Sequence, residues 1–286
     1  MQSSGAKSNL GAQGKPGPKP KIIFFGNGPL SEYALNTLLE GGYEVVFHAH
    51  NKADLPEAVR LKNESPSLVG ILASFGALIP SSVLEIFEPE GILNIHPSLL
   101  PLYRGASPIE SAIIDGCSDF GVSVMKLARE MDAGPIYEQA TLENVPNETL
   151  DKDFLYKTLA KMGAAMVISN LKQRAKTGKW PTPVPQDNTK ATYCSKFTRK
   201  DGILDPSSET AEQIYRKIVA FQGFPKAKYV FYGKNCAILE AHIADEDEMA
   251  LLPLKCADGS VVAVDKLQPD GKKPMDAKSF LNGYGR

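Results

Sequence analysis

Residues 21–40 read KIIFFGNGPLSEYALNTLLE, and the punctuation of that stretch decides the fold. Lys21–Phe25 is a short, almost wholly apolar run that ends at Gly26, the mark of a strand buried on both faces. Ser31–Glu40 then carries apolar residues at helical spacing until Gly41-Gly42 stops it. Working outward, Glu44–Phe47, Leu68–Ser74 and Gly91–His96 read as further buried strands, with a helix over Leu55–Leu61. Strands alternating with helices predict an α/β protein with a doubly wound, parallel-rich, Rossmann-like sheet. Ser107-Pro108-Ile109-Glu110 has the form of a capping box that opens the next helix. Phe120–Leu127 reads as another strand, and Thr149 as the cap of a long helix from Leu150 to about Lys176, before Gly178.

The rhythm then changes. Pro181, Pro183 and Pro185 fall at every second position and predict a stiff, extended connector. Beyond it lie one helix, about Glu209–Phe221 and capped by Ser208, and short strands over Tyr229–Tyr232, Ala237–His242 and Val261–Leu267. That pattern predicts a small, mostly β, OB-like barrel. The chain thus reads as a disordered tail (1–20), a first domain (21–178), a proline-rich linker (179–190) and a C-terminal domain (191–286).

Of the 286 residues, 43% are hydrophobic and 23% charged, so neither a disordered nor a fibrous chain is compatible with the composition. Lys+Arg 32 against Asp+Glu 33 leaves a net charge of -1, so there is no global basic field for nucleic acid. Cys117, Cys194, Cys236 and Cys256 have no metal-type spacing and read as free thiols of a reducing compartment. No run is long and apolar enough to span a membrane, and the first twenty residues lack the apolar core of a signal peptide. The expectation is a cytoplasmic protein with no membrane partner.

Three places invite chemistry. Gly26-Asn27-Gly28 can offer backbone N–H groups to an anion at a helix N-terminus, the plainer alternative being a tight turn that lets the helix pack on the sheet. As a dinucleotide site it lacks the third glycine, where Ser31 stands, and the acid after the second strand, where His48-Ala49-His50-Asn51 stands. Asn94 and His96 are a stronger signal. Two apart at the end of a buried strand, they share a face at the carboxyl edge where open α/β sheets bind ligands. The proline-stiffened loop that follows ends in Arg104-Gly105, a guanidinium suited to clamping a substrate beside a glycine that permits close approach. The plainer alternative is that His96 caps its strand and Arg104 pairs with an acid. Third, Asp132 in Glu130-Met131-Asp132-Ala133-Gly134-Pro135 can accept a proton or orient His96, but spacing alone does not bring it there. His48 and His50 share a strand face without a third metal ligand, so no metal is implied.

The motifs N-I-H-P-S-L-L-P-L-Y-R-G (Asn94 to Gly105) and M-D-A-G-P-I (Met131 to Ile136) resemble the folate-dependent formyltransferases. Pro185-Gln186, Ala191 to Lys196, Asp201 to Asp205 and Leu267 to Met275 resemble the C-terminal part of the methionyl-tRNA branch of that family. The resemblance implies a one-carbon transferase that uses 10-formyltetrahydrofolate to formylate the α-amine of methionyl-initiator-tRNA, as a monomer. It assigns Asn94, His96 and Asp132 to catalysis. It places Ser98, Leu99, Leu100 and Pro101, with Phe75, Gly76, Ala77, Leu78 and Ile79, at the folate site. Arg104, Gly105, Gly26 and Gly28 remain as substrate contacts, and Lys190, Lys196, Arg199, Lys200, Lys272 and Lys273 as phosphate contacts for RNA or, alternatively, as ordinary solubilising surface charge. Two departures stand out. The long basic loop that tRNA-acting members carry after the second strand is absent between His48 and Leu55, and a family tryptophan is replaced by Pro206. The first departure keeps open an alternative acceptor, a nucleotide-linked amino sugar.

Overall fold

A computed structural model describes residues 19–146 and 150–285. The tail expected over residues 1–20 therefore lies outside the described residues up to position 18, and so does Thr149. The first half is a six-stranded sheet. Strands β1 (Ile22–Gly26), β2 (Val45–Ala49), β3 (Val69–Ala73) and β4 (Ile92–His96) run parallel. Helices α1 (Pro29–Glu40), α2 (Leu55–Glu64) and α3 (Ser81–Phe87) make the crossovers. After the two-residue β5 (Arg104–Gly105) and α4 (Pro108–Ile114), β6 (Phe120–Lys126) and β7 (Ile136–Leu142) complete the order β2-β1-β3-β4-β6-β7. The sheet is parallel-rich as expected, with an antiparallel edge: β6 runs antiparallel to β4 and β7 antiparallel to β6. A turn of nine residues, 127–135, joins those two, too short for the crossover that a parallel pair needs.

β1, β3 and β4 are buried at every position, which matches their apolar runs, whereas β2, expected to be buried as well, lies at the sheet edge with only Ala49 buried. Gly26 ends β1 because nothing larger fits: a Cβ there would overlap the Ala73 carbonyl and the Ser31 hydroxyl. The 3-10 turn Lys52–Asp54 follows β2 almost at once and leads straight into α2, so the chain builds no long loop there.

Three cap expectations are corrected. Helix α5 (Lys152–Thr177) is capped by Asp151, whose carboxylate accepts from Asp153 N, and it ends at the left-handed Gly178. Ser107, at φ -139 and ψ 56, makes no side-chain cap on α4, and the Glu110 carboxylate accepts from the Tyr156 hydroxyl at 2.7 Å rather than closing a box. In α6 (Ala211–Ala220) the capping box is Thr210 with Gln213, while the Ser208 hydroxyl is spent on Asp205 at 2.8 Å.

The second half, after the two-residue β8 (Tyr193–Cys194), is an antiparallel sheet of β9 (Lys228–Phe231), β10 (Lys234–Ile243), β11 (Pro253–Lys255), β12 (Val261–Pro269) and β13 (Met275–Asp276). Its order is β11-β12-β10-β9, with β13 on β12, so the expected barrel is an open half-barrel. Helix α7 (Ala277–Tyr284) packs on β12 and β13. One buried cluster runs continuously from Ile22 in β1 to Phe280 in α7, through the contact of α4 with α6.

Lys152 ties the halves together. Its ammonium donates to the Ala220 carbonyl at 2.9 Å and to the Gln222 carbonyl, and lies 3.8 Å from Glu110. Those carbonyls close the C-terminal end of α6, where a cation is favourable. Burial pushes the ammonium below its ordinary pKa. Lys152→Met is expected to remove about 2 kcal/mol by orphaning these acceptors. A calorimetric Tm about 4–8 °C lower would register it.

His242, on β10, holds Asp265 with Nδ1 and Glu248 with Nε2, each at 2.8 Å, and Asp265 first, then Glu248, raises its pKa above 6.5. A raised folded-state value stabilises fully below the unfolded value and is lost as pH climbs through the folded one. The side chain is 46% exposed, so the contribution is small. His242→Gln should lower Tm by about 1–3 °C near pH 6 and by nothing measurable near pH 9.

Candidate active site

Asn94 and His96 leave the same face of β4 and are each 5% exposed. Next to their strand end lie the loops after β1 and β3, so Gly26–Gly28 and Phe75–Ile79 flank the same carboxyl edge. The turn after β6 supplies Asp132. It folds back tightly: a Cβ on Gly134 would overlap the Lys126 carbonyl. Asp132 itself adopts φ +51, the left-handed region, which costs about 1–2 kcal/mol for an ordinary residue and is tolerated best by Asp and Asn.

The three side chains converge. Asp132 Oδ1 lies 3.7 Å from His96 Nδ1 and accepts a long bond from Asn94 Nδ2 at 3.5 Å, while Oδ2 accepts from the Gly105 amide at 2.9 Å. His96 Nε2 faces the Tyr103 carbonyl at 3.0 Å. A carbonyl only accepts, so Nε2 donates to it and Nδ1 is the nitrogen turned toward Asp132. The site therefore holds an amide donor, a carboxylate and an imidazole nitrogen around one point.

The loop between β4 and β5 is anchored from beneath. Ser123 of β6 donates to the Ser98 carbonyl at 2.6 Å and accepts from Leu100 N at 3.1 Å, and Gln139 of β7 donates to the Leu100 carbonyl at 2.9 Å. The Ser98 hydroxyl is itself committed to the Leu102 carbonyl at 2.6 Å. Leu100 is buried, Phe75 packs edge-on against Phe25, and Leu78 is 62% exposed on the neighbouring loop. A cavity of about 370 Å³ opens between α3 and the two ends of the Asp132 turn, lined by Ser81, Leu84, Lys126, Arg129 and Pro135 among others. None of the nine expected folate residues lines it.

Arg104 departs from expectation. Its side chain is 1% exposed, and its guanidinium bonds Gln186 Oε1 at 2.6 and 3.1 Å, Asn188 Oδ1 at 2.7 Å and the Tyr193 hydroxyl at 3.3 Å. Neutral acceptors within the chain, neither an acid nor open solvent, take its donors. Gly105 instead works through its backbone, at φ +125 with no room for a Cβ beside the Cys194 carbonyl. Gly28 is the uncapped N-terminal residue of α1, and the nearby His48 Nε2 faces the Gly26 carbonyl at 2.9 Å. His48 and His50 lie ring to ring, 3.8 Å between centroids, and among the described residues no group of three or more His, Cys, Asp or Glu could hold a metal ion. Gln186, Asn188, Thr192 and Ser123 went unread as site residues. No local pattern marks them: the proline alternation predicts only that the connector is stiff and extended.

Against known proteins, residues 46–171 match the family described as Formyl transferase, and residues 196–285 match Formyl transferase, C-terminal domain. Methionyl-tRNA formyltransferase of Helicobacter pylori (strain P12) is 35% identical over 240 residues, 80% of this chain and 73% of the relative. That of Dictyoglomus thermophilum is 32% identical over 270 residues, 90% and 83% of the two chains. Among solved structures, HypX from Aquifex aeolicus in complex with tetrahydrofolic acid superposes with a TM-score of 0.74 at 20% identity, covering 93% of this chain and 48% of that one, a likeness of fold. The chain belongs to the formyl transferase family, and the methionyl-tRNA formyltransferases are relatives it matches over most of both lengths.

Proposed function

We propose that this protein transfers a formyl group from 10-formyltetrahydrofolate to the α-amino group of methionine carried by initiator tRNA. The convergence of Asn94, His96 and Asp132 on one point carries the reading, and the name shared by relatives at 32–36% identity supplies the acceptor. In this reading the amine nitrogen attacks the formyl carbon, and the carbonyl oxygen becomes an oxyanion that Asn94 Nδ2 stabilises by donation. The ammonium proton of the resulting adduct passes to Asp132 or to His96 Nδ1. As the bond from carbon to the folate nitrogen breaks, a proton returns to that nitrogen.

Folate is held between the loops after β3 and β4, and lysines of the connector and second half, Lys190, Lys196 and Lys200 among them, meet the acceptor's phosphates. The protein acts as a monomer in the cytoplasm. Among the described residues, no helix is long and apolar enough to cross a membrane.

A second acceptor has one observation in its favour, the direct passage from β2 into the 3-10 turn and α2 with no basic loop between. The test assays formyl transfer to charged initiator tRNA, charged elongator methionyl-tRNA and a nucleotide-linked amino sugar side by side. Formylation confined to the initiator is expected. Turnover of the sugar with untouched tRNA would reassign the acceptor.

A further inference from the structure

The segment between the two sheets does more than space them. Its start is fixed by Trp180, which donates to Glu90 and lies under Arg174 at 5.2 Å. Val184 pairs with Ile136 at the head of β7 through bonds of 2.7 and 2.8 Å. Two residues on, Gln186 uses each end of its amide twice. Oε1 accepts from Arg104 Nε and Nη2, and Nε2 donates to the Asp132 carbonyl at 2.8 Å and the Gly134 carbonyl at 2.7 Å. Arg104 is one peptide bond from Gly105, whose amide holds the Asp132 carboxylate at 2.9 Å. The bonds close a ring through the Asp132 carboxylate, the Gly105 amide, the Arg104 side chain, the Gln186 amide and the Asp132 carbonyl. It surrounds a residue whose left-handed backbone needs outside support.

We propose that Gln186 is a positioning residue for formyl transfer. Its two donations hold Asp132 in the left-handed conformation that aims Oδ1 at Asn94 and His96. This inference rests on the catalytic role given to Asp132 above. A purely structural role would be to satisfy buried Arg104, which Asn188 and Tyr193 also serve. Gln186→Glu separates the two, because a carboxylate still accepts from Arg104 but cannot donate to the Asp132 and Gly134 carbonyls.

In the full-length chain, Gln186→Glu should keep Tm within a few degrees and KM for both substrates within about threefold. Its kcat should fall about 30-fold, as expected for a displaced catalytic group. Hydrogen exchange supplies a readout that needs no acceptor. The Gly105 amide, bonded to Asp132, should exchange about tenfold faster in the variant. The Arg104 amide, bonded to the Thr192 carbonyl at 2.9 Å, should keep its rate. Gln186→Ala, which loses all four bonds, should show the same kcat and exchange changes with a lower Tm. The proposal is overturned if folded Gln186→Glu retains kcat within twofold, if only KM for the acceptor rises, or if Gly105 exchange does not change. Should the parent formylate no tRNA at all, the acceptor assignment fails, while Gly105 exchange still decides the role of Gln186.

Discussion

Asp132→Asn is expected to lower kcat by about 10³-fold while leaving the protein folded, because it reverses the proton polarity at the centre of the site. In the parent, one carboxylate oxygen accepts from the Gly105 amide and the other faces Asn94 Nδ2 and His96 Nδ1. An asparagine can keep the Gly105 bond through its carbonyl, so the turn and its φ of +51 survive. Its amide nitrogen must then face another amide donor and can no longer take a proton from the incoming amine. Tm should change little, and KM for the folate should change less than kcat. A variant within tenfold of the parent would remove Asp132 from the proton path and leave it a turn residue.

Asn94→Ala carries the second large effect, about 10²–10³-fold in kcat, the range found when a single oxyanion donor is removed. Asn94 is 5% exposed and, among the described residues, its side chain makes one long bond, to Asp132 at 3.5 Å. Few contacts in the folded protein are lost with it, so the stability cost should be modest and the catalytic cost dominant. Single-turnover rates with saturating folate separate the two. An unaltered chemical step would show that the oxyanion is stabilised elsewhere.

What could be read from the chain differs by region, for physical reasons. Three of the parallel strands, β1, β3 and β4, were legible because burial on both faces leaves a continuous apolar run, as in Ile22–Phe25 and Val69–Ala73. The Asn94–His96 pair was legible because polar side chains on one face of such a strand have no packing rationale. Strand direction at the edge was not, since Phe120–Lys126 has the same apolar character whether it runs with β4 or against it. Caps were less legible: the Glu110 carboxylate of the expected box bonds Tyr156, forty-six residues away, and the Ser208 hydroxyl bonds Asp205. Arg104 was read outward as a substrate clamp and points inward, because its partners Gln186 and Asn188 lie 82 and 84 residues downstream. No local pattern records such a contact. The family motif placed Asp132 near His96, and the tight turn at Gly134 is the mechanical reason it arrives.

Transfer of labelled formyl from 10-formyltetrahydrofolate to charged initiator tRNA, followed in a single turnover with enzyme in excess, decides whether Asp132 serves formylation of that acceptor. Label is expected on the methionine α-amine with the parent chain, and at a rate about 10³-fold slower with Asp132→Asn. Parent and Asp132→Asn labelling the tRNA at the same rate, or neither labelling it, would contradict that role.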